Sequence, residues 1–146
     1  MIIAYKLAII VMKNLLILIV EDDPSQRGYL THLLTQSKFN VIDANSGEQA
    51  LILIEGKKVD LALLDINLGK GMDGIELSKK LRINPSCFNI PIIAVTAYYN
   101  KEYFLHHRFD DFILKPYTYD QLIRTINFHL ARQSNEVDTS YSFEGK

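Results

Sequence analysis

From Leu15 onward, short apolar runs alternate with stretches in which apolar residues recur every three or four positions. That alternation is the signature of βαβ units building a parallel sheet. Residues 15–20 are continuously apolar, as expected of a central strand buried on both faces. Pro24 follows where a helix can begin, because the first turn has no use for a proline N–H. Leu30, Leu33 and Leu34 then fall at helical spacing. Residues 40–44 predict a second strand, ended by the turn residues Asn45, Ser46 and Gly47.

Ser46 and Gln49 have the spacing of a capping box ahead of a face made by Ala50, Leu51 and Ile54, and Gly56, Lys57 and Lys58 close that helix. Residues 61–64 predict a third strand running straight into Asp65. Gly69, Lys70 and Gly71 form a loop, after which Asp73 is placed to cap a helix carrying Ile75, Leu77 and Leu81. Residues 92–95 predict a fourth strand and residues 112–114 a short fifth. Thr118 and Gln121 repeat the capping-box spacing before a helix with Leu122, Ile123, Ile126 and Leu130 inside. Five strands and about five helices predict a doubly wound α/β domain, (βα)5, with right-handed crossovers.

That domain is expected over residues 14–131. Residues 132–146 are polar and without periodicity, and predict a flexible tail. Residues 1–20 are unusually apolar, but Lys6, Lys13 and Asn14 cut them into runs of six or fewer. A membrane span wants about 20 consecutive apolar residues, and no small-residue cleavage site follows the run after Lys6. Residues 1–13 therefore read as an apolar extension before the domain, with Met12 as an alternative start, and no membrane role is expected.

Composition narrows the picture further. Hydrophobic residues at 48% and charged residues at 23% argue against general disorder. Sixteen Lys and Arg against 17 Asp and Glu leave no basic excess for non-specific nucleic-acid binding, and no DNA-binding module is visible. A single cysteine excludes an internal disulfide framework and a cysteine zinc site, which points to the cytoplasm. His106 and His107 are adjacent and point apart on a helix, and His32 and His129 are isolated, so no histidine metal site is expected.

Function in an open parallel sheet sits beyond the carboxyl ends of the strands. The first strand ends in Glu21, Asp22 and Asp23, the third in Asp65, the fourth in Thr96 and the fifth in Lys115 and Pro116. Acids alone at one rim would repel one another and raise their own pKa values, and a hard divalent cation relieves that. Mg²⁺ is held by one or two carboxylates together with phosphate oxygens and water. Asp23, just before Pro24, reads separately as a helix cap.

The stretches LLILIVEDDPSQR, LALLDINLGKGMDGIEL, IPIIAVTA and DDFILKPY, in this order, resemble the receiver domain of two-component response regulators. The resemblance covers residues 14–131 and implies a flavodoxin-like sheet of order 2-1-3-4-5. It implies that Asp65 is the phosphoacceptor, that Asp22 binds Mg²⁺ or Mn²⁺ directly, and that Glu21 acts on the ion, often through water. Asn67 would lend a backbone carbonyl to the ion, Thr96 would contact the phosphoryl group, and Lys115 would balance its charge. A cis Lys115–Pro116 bond is also implied. Thr96 and Phe112 resemble the switch pair that changes the β4-α4-β5-α5 face, and Asn67 and Tyr98 flank the path of hydrolytic water. The implied donor is a sensor histidine kinase or histidine phosphotransfer protein. The implied output is a protein contact, with the chain a stand-alone monomer or a phosphorylation-dependent dimer.

Three departures stand beside the match. The loop after Asp65 lacks the family's proline and is a residue longer, with Gly69, Lys70 and Gly71 in its place. Lys115 lies 19 positions after Thr96, a shorter spacing than is usual, so the helix around residues 101–107 should be short or irregular. Phe112 lacks the hydroxyl of the commoner tyrosine, leaving its switching to packing.

Other function classes fit less well. A haloacid-dehalogenase-type phosphatase needs a second acid two residues after the nucleophile, where this chain has Asn67. A flavodoxin needs a phosphate-binding loop after the first strand, where Glu21, Asp22 and Asp23 would repel the cofactor. The remaining alternative is a pseudo-receiver that binds partners without phosphorylation. Against it, Glu21, Asp22, Asp65, Thr96 and Lys115 are all present. The expected role is thus a signalling phosphoacceptor rather than an enzyme acting on separate substrates.

Overall fold

A computed structural model describes residues 2–4, 14–98 and 100–141. The branched apolar runs are extended: Leu16–Val20 (β1), Asn40–Ala44 (β2), Leu61–Leu64 (β3), Ile92–Thr96 (β4) and Asp111–Leu114 (β5). They form one parallel sheet in the order β2-β1-β3-β4-β5. The helices are Pro24–Gln36 (α1), Gly47–Leu53 (α2), Gly74–Arg82 (α3), Lys101–His106 (α4) and Tyr119–Tyr141 (α5), with a 3₁₀ turn at Pro85–Cys87. This is the flavodoxin-like arrangement expected from the sequence.

Alternate residues of the central strands feed two separate cores, as the two-residue period of a strand requires. Leu18, Val20, Ala62, Leu64, Ile92 and Ala94 meet Ala50, Ile54, Ile75, Leu77 and Leu81 on the α2–α3 side. Ile17, Ile19, Leu61, Leu63, Ile93 and Val95 meet Leu30, Leu34, Leu122, Ile126 and Leu130 of α1 and α5 on the other. Strands covered twice carry apolar side chains at every position, which is why β1, β3 and β4 read as unbroken runs.

The caps follow the sequence closely. Asp23 accepts from the Gln26 N–H at 2.8 Å, and Asp73 from the Glu76 N–H at 2.8 Å. Thr118 and Gln121 bond reciprocally, at 3.2 and 2.9 Å, which satisfies two backbone N–H groups at the start of α5. At α2 the Gln49 N–H donates to Ser46 at 3.1 Å, while the Gln49 side chain reaches back to the Asn45 N–H at 2.7 Å.

Two helix ends differ from expectation. α2 stops at Leu53, ahead of Gly56, because the Lys57 N–H closes a tight turn on the Ile54 carbonyl and Gly56 takes φ +70°. α5 continues to Tyr141, past Arg132, where loss of periodicity predicts a tail. Polarity governs which helix positions are buried rather than where a helix stops, and no glycine or proline occurs in α5 to interrupt it. α4 is six residues long, as the shortened spacing before Lys115 predicts. Of the apolar extension, residues 2–4 are helical and exposed, and residues 5–13 lie outside the described residues, as do residues 142–146 of the tail.

Candidate functional site

The ladders run one residue past the strands and hold the rim by its backbone. Asp65 donates its N–H to the Val20 carbonyl at 3.0 Å, Glu21 to Ala44 at 3.1 Å and Lys115 to Thr96 at 2.8 Å. Glu21, Asp65, Thr96 and Lys115 are thereby placed on one edge of the sheet. The Lys115–Pro116 peptide is cis.

Lys115 Nζ lies 2.7 Å from Glu21 Oε2 and 3.2 Å from Asp65 Oδ2, and also donates to Gln26 Oε1 at 2.7 Å. Carboxylate oxygens of Glu21, Asp22 and Asp65 all lie within 4.8 Å of one another. Glu21 and Asp22 are neighbours that a regular strand would turn to opposite faces, yet both reach this cluster because the chain leaves β1 there to start α1. Glu21 is buried and Asp22 exposed. Arg27, one turn into α1, donates to the Glu21 carbonyl at 2.9 Å and pairs with Asp43 at 3.4 Å.

The electrostatics follow from this crowding. Burial, reinforced by the charge of Asp65, raises the Glu21 carboxyl above its ordinary value despite its bond to Lys115. Burial works against the Lys115 ammonium, but the hydrogen bond to Glu21 and the charges of Asp65 and Glu21 outweigh it and raise its pKa. Two of the three clustered carboxylates thus share one ammonium. An all-oxygen donor set with surplus negative charge is the chemistry that a hard divalent cation satisfies. Among the described residues, no histidine belongs to this cluster.

Asn67 is exposed and donates its N–H to Asp65 Oδ1 at 3.0 Å, so the loop curls back over the acid. Thr96 is buried, and its hydroxyl accepts the Tyr98 N–H at 3.2 Å. The Tyr98 ring is exposed. Phe112 is half-buried and stacks on Phe104 with centroids 5.4 Å apart, beneath the short α4. Beside Lys115 lies a cleft of about 470 Å³ lined by Gln26, Tyr29, Val95 and Tyr117. The structure brings Glu21, Asp22, Asp65 and Lys115 together as the sequence expects, whereas Gln26 and Arg27 were not anticipated. Their one available signal is their place in the first turn after the acids, which puts them over the rim.

The comparisons with known proteins agree with this geometry. The family model described as response regulator receiver domain matches residues 17–127. A cyclic di-GMP phosphodiesterase of Thermotoga maritima is 40% identical over 129 residues, covering 81% of this chain and 33% of that protein. The heme response regulator HssR of Staphylococcus saprophyticus is 34% identical over 128 residues, covering 86% and 55%. The chain therefore spans only a third to about half of these relatives. Among solved structures, a CheY-like receiver domain protein from Methanospirillum hungatei superposes with TM-score 0.74 at 31% identity, covering 84% of this chain and 98% of that one. The receiver domain of a sensor histidine kinase from Pseudomonas aeruginosa, solved with a magnesium ion in its active site cleft, gives TM-score 0.72 at 26% identity, covering 81% and 98%. With most of its length matched and the sheet in the same order, the chain belongs to the response regulator receiver domains of two-component signalling.

Proposed function

We propose that Asp65 accepts a phosphoryl group from a phosphohistidine on a sensor histidine kinase or phosphotransfer protein. The observation that carries this reading is the cluster of three carboxylates at the carboxyl rim, two of them bonded to Lys115. A carboxylate attacks an anionic donor poorly because the two repel. Glu21, Asp22, Asp65 and the Asn67 carbonyl would hold Mg²⁺ or Mn²⁺, which when bound offsets that repulsion and the charge on the transferring oxygens.

An Asp65 carboxylate oxygen forms the new O–P bond as the donor's N–P bond breaks. Lys115, already in contact with Asp65, then faces the added negative charge and stabilises it at short range. Thr96 turns its hydroxyl from the Tyr98 N–H toward the phosphoryl oxygens, and Phe112 repacks into the space released. The β4-α4-β5-α5 face then differs between two states, and a protein partner that prefers one of them reads the signal. Asn67 and Tyr98, bracketing the acceptor, set how readily water removes the phosphoryl group.

Intact mass after incubation with Mg²⁺ and a small acyl phosphate tests the assignment. One added phosphoryl group is expected in the wild type and none in Asp65→Asn. Equal labelling of the two proteins would move the acceptor elsewhere. No labelling of either, with Mg²⁺ shown to bind and a phosphohistidine donor also tried, would favour a phosphorylation-independent interaction module.

A further inference from the structure

The loop between β3 and α3 carries Asn67 and lies against Asp22, yet its own sequence is pliable. Gly69 and Gly71 both take positive φ, +71° and +88°. Its two ends are secured to the acceptor strand. The Asn67 N–H bonds Asp65 Oδ1, the Gly74 N–H bonds the Ile66 carbonyl at 3.0 Å, and Gly74 packs so closely on the Asp65 backbone that any Cβ there would collide. Between those anchors, a side chain 24 positions away holds the loop. Glu48, in the first turn of α2, accepts the Met72 N–H on Oε1 at 2.9 Å.

The space around that bond is shaped for it. A Cβ on Gly71 would sit 2.9 Å from the same Glu48 oxygen, and a Cβ on Gly47 would sit 2.8 Å from Met72 Sδ. Two glycines, one on each element, thus let α2 and the loop approach. On the other side of the loop, a Cβ on Gly69 would come within 3.2 Å of Asp22 Oδ2. The segment pinned at Met72 therefore lies directly against one of the three clustered carboxylates. The Met72 N–H also holds the Glu48 carboxyl below its ordinary value, so the group stays an ionised, strong acceptor near neutral pH.

We infer that Glu48 is a positioning residue for the acceptor site, its carboxylate clamping the glycine-rich loop so that Asn67 and Asp22 are held in register with Asp65. The inference rests on the proposed phosphoacceptor reading, and it concerns a residue that touches neither Asp65 nor Lys115. Glu48 is solvent-exposed, so its replacement leaves the core untouched.

The test compares wild type, Glu48→Gln and Glu48→Ala for Mg²⁺ affinity by calorimetry, for labelling rate by a small acyl phosphate, and for hydrogen exchange at the Met72 amide. Asp65→Asn runs beside them. Glu48→Ala is expected to lose Met72 protection and to weaken Mg²⁺ binding and labelling about threefold to tenfold, the scale of one lost hydrogen bond. Glu48→Gln keeps an acceptor oxygen but no charge, and is expected within about twofold of wild type. Thermal midpoints should stay within about 5 °C of wild type, the scale of one hydrogen bond.

Unchanged affinity and labelling in Glu48→Ala would overturn the inference. So would a Gln variant that falls as far as Ala, because charge near the cation rather than the clamp would then be at work. If wild type and Asp65→Asn label alike, the acceptor assignment fails by itself. Mg²⁺ affinity and Met72 exchange then still decide whether Glu48 holds the loop.

Discussion

The two ends of the sheet treat charge differently. At the amino end Asp60, Asp110 and Asp111 each meet a donor from another element. Arg82 meets Asp110 at 2.8 Å and also donates to the Ile90 and Arg108 carbonyls, and Asp110 accepts the Ile92 N–H at 2.7 Å. His129, buried on α5, meets Asp111 at 2.8 Å, and Asp60 accepts the Leu16 N–H at 2.8 Å. At the carboxyl end three carboxylates cluster, and a single lysine pairs with two of them. Acids matched one to one with donors join elements together. A surplus of one sign, held in place by strands and partly shielded from water, is a site that waits for a counter-charge. The stoichiometry of charge, rather than the number of charged residues, separates the two ends.

The strongest way to break that comparison is to remove the shared ammonium. Lys115→Met should slow labelling by a small acyl phosphate about a hundredfold or more, as loss of a buried charge facing the transferring group does. A labelling time course followed by mass checks it, and an unchanged rate would reduce Lys115 to a structural partner like Arg82.

A second expectation concerns Cys87, in the 3₁₀ turn toward the amino end, whose thiol is pushed up to about 11 by burial. Its folded value exceeds its unfolded one, so the neutral thiol's contribution to stability is whole below about pH 9 and lost as pH rises through 11. At pH 8 the folded protein should react with a thiol reagent about a hundredfold more slowly than the urea-unfolded chain, since the thiolate is the reactive form. Equal rates would mean that the amino end opens readily.

The smallest effect sharpens the contrast. Arg82→Met should lower stability in urea titration by about 1–3 kcal/mol, because Asp110 and two carbonyls lose a charged donor. Labelling at Asp65 should stay within twofold of wild type. A large loss of labelling would show that the two ends are coupled through β4 and β5.

How much of this was legible beforehand follows from the range of each interaction. The strands, four of the helix caps and the buried faces of α1, α3 and α5 were readable, because periodicity and caps act over a few residues. The rim acids, Thr96 and Lys115 were readable too, because a strand's last residue is named by where its apolar run stops. The end of α5 was misread at Arg132, since polarity was taken for a helix stop where no breaker exists. Gln26 and Glu48 were overlooked. Each is one polar residue in the first turn of a helix, indistinguishable by pattern from a solvated position.

What the sequence determined by itself is therefore the order of elements, the sheet they can form and the chemical types brought to its carboxyl rim. Tertiary structure alone decided the stoichiometry there: that Lys115 reaches Glu21, Asp65 and Gln26 together, that Glu21 is buried while Asp22 is exposed, and that Glu48 meets Met72 across 24 positions. The reason is distance along the chain. Hydrophobic period and capping are written locally, whereas which charge meets which is set only when the parallel ladders bring remote strand ends within hydrogen-bond reach.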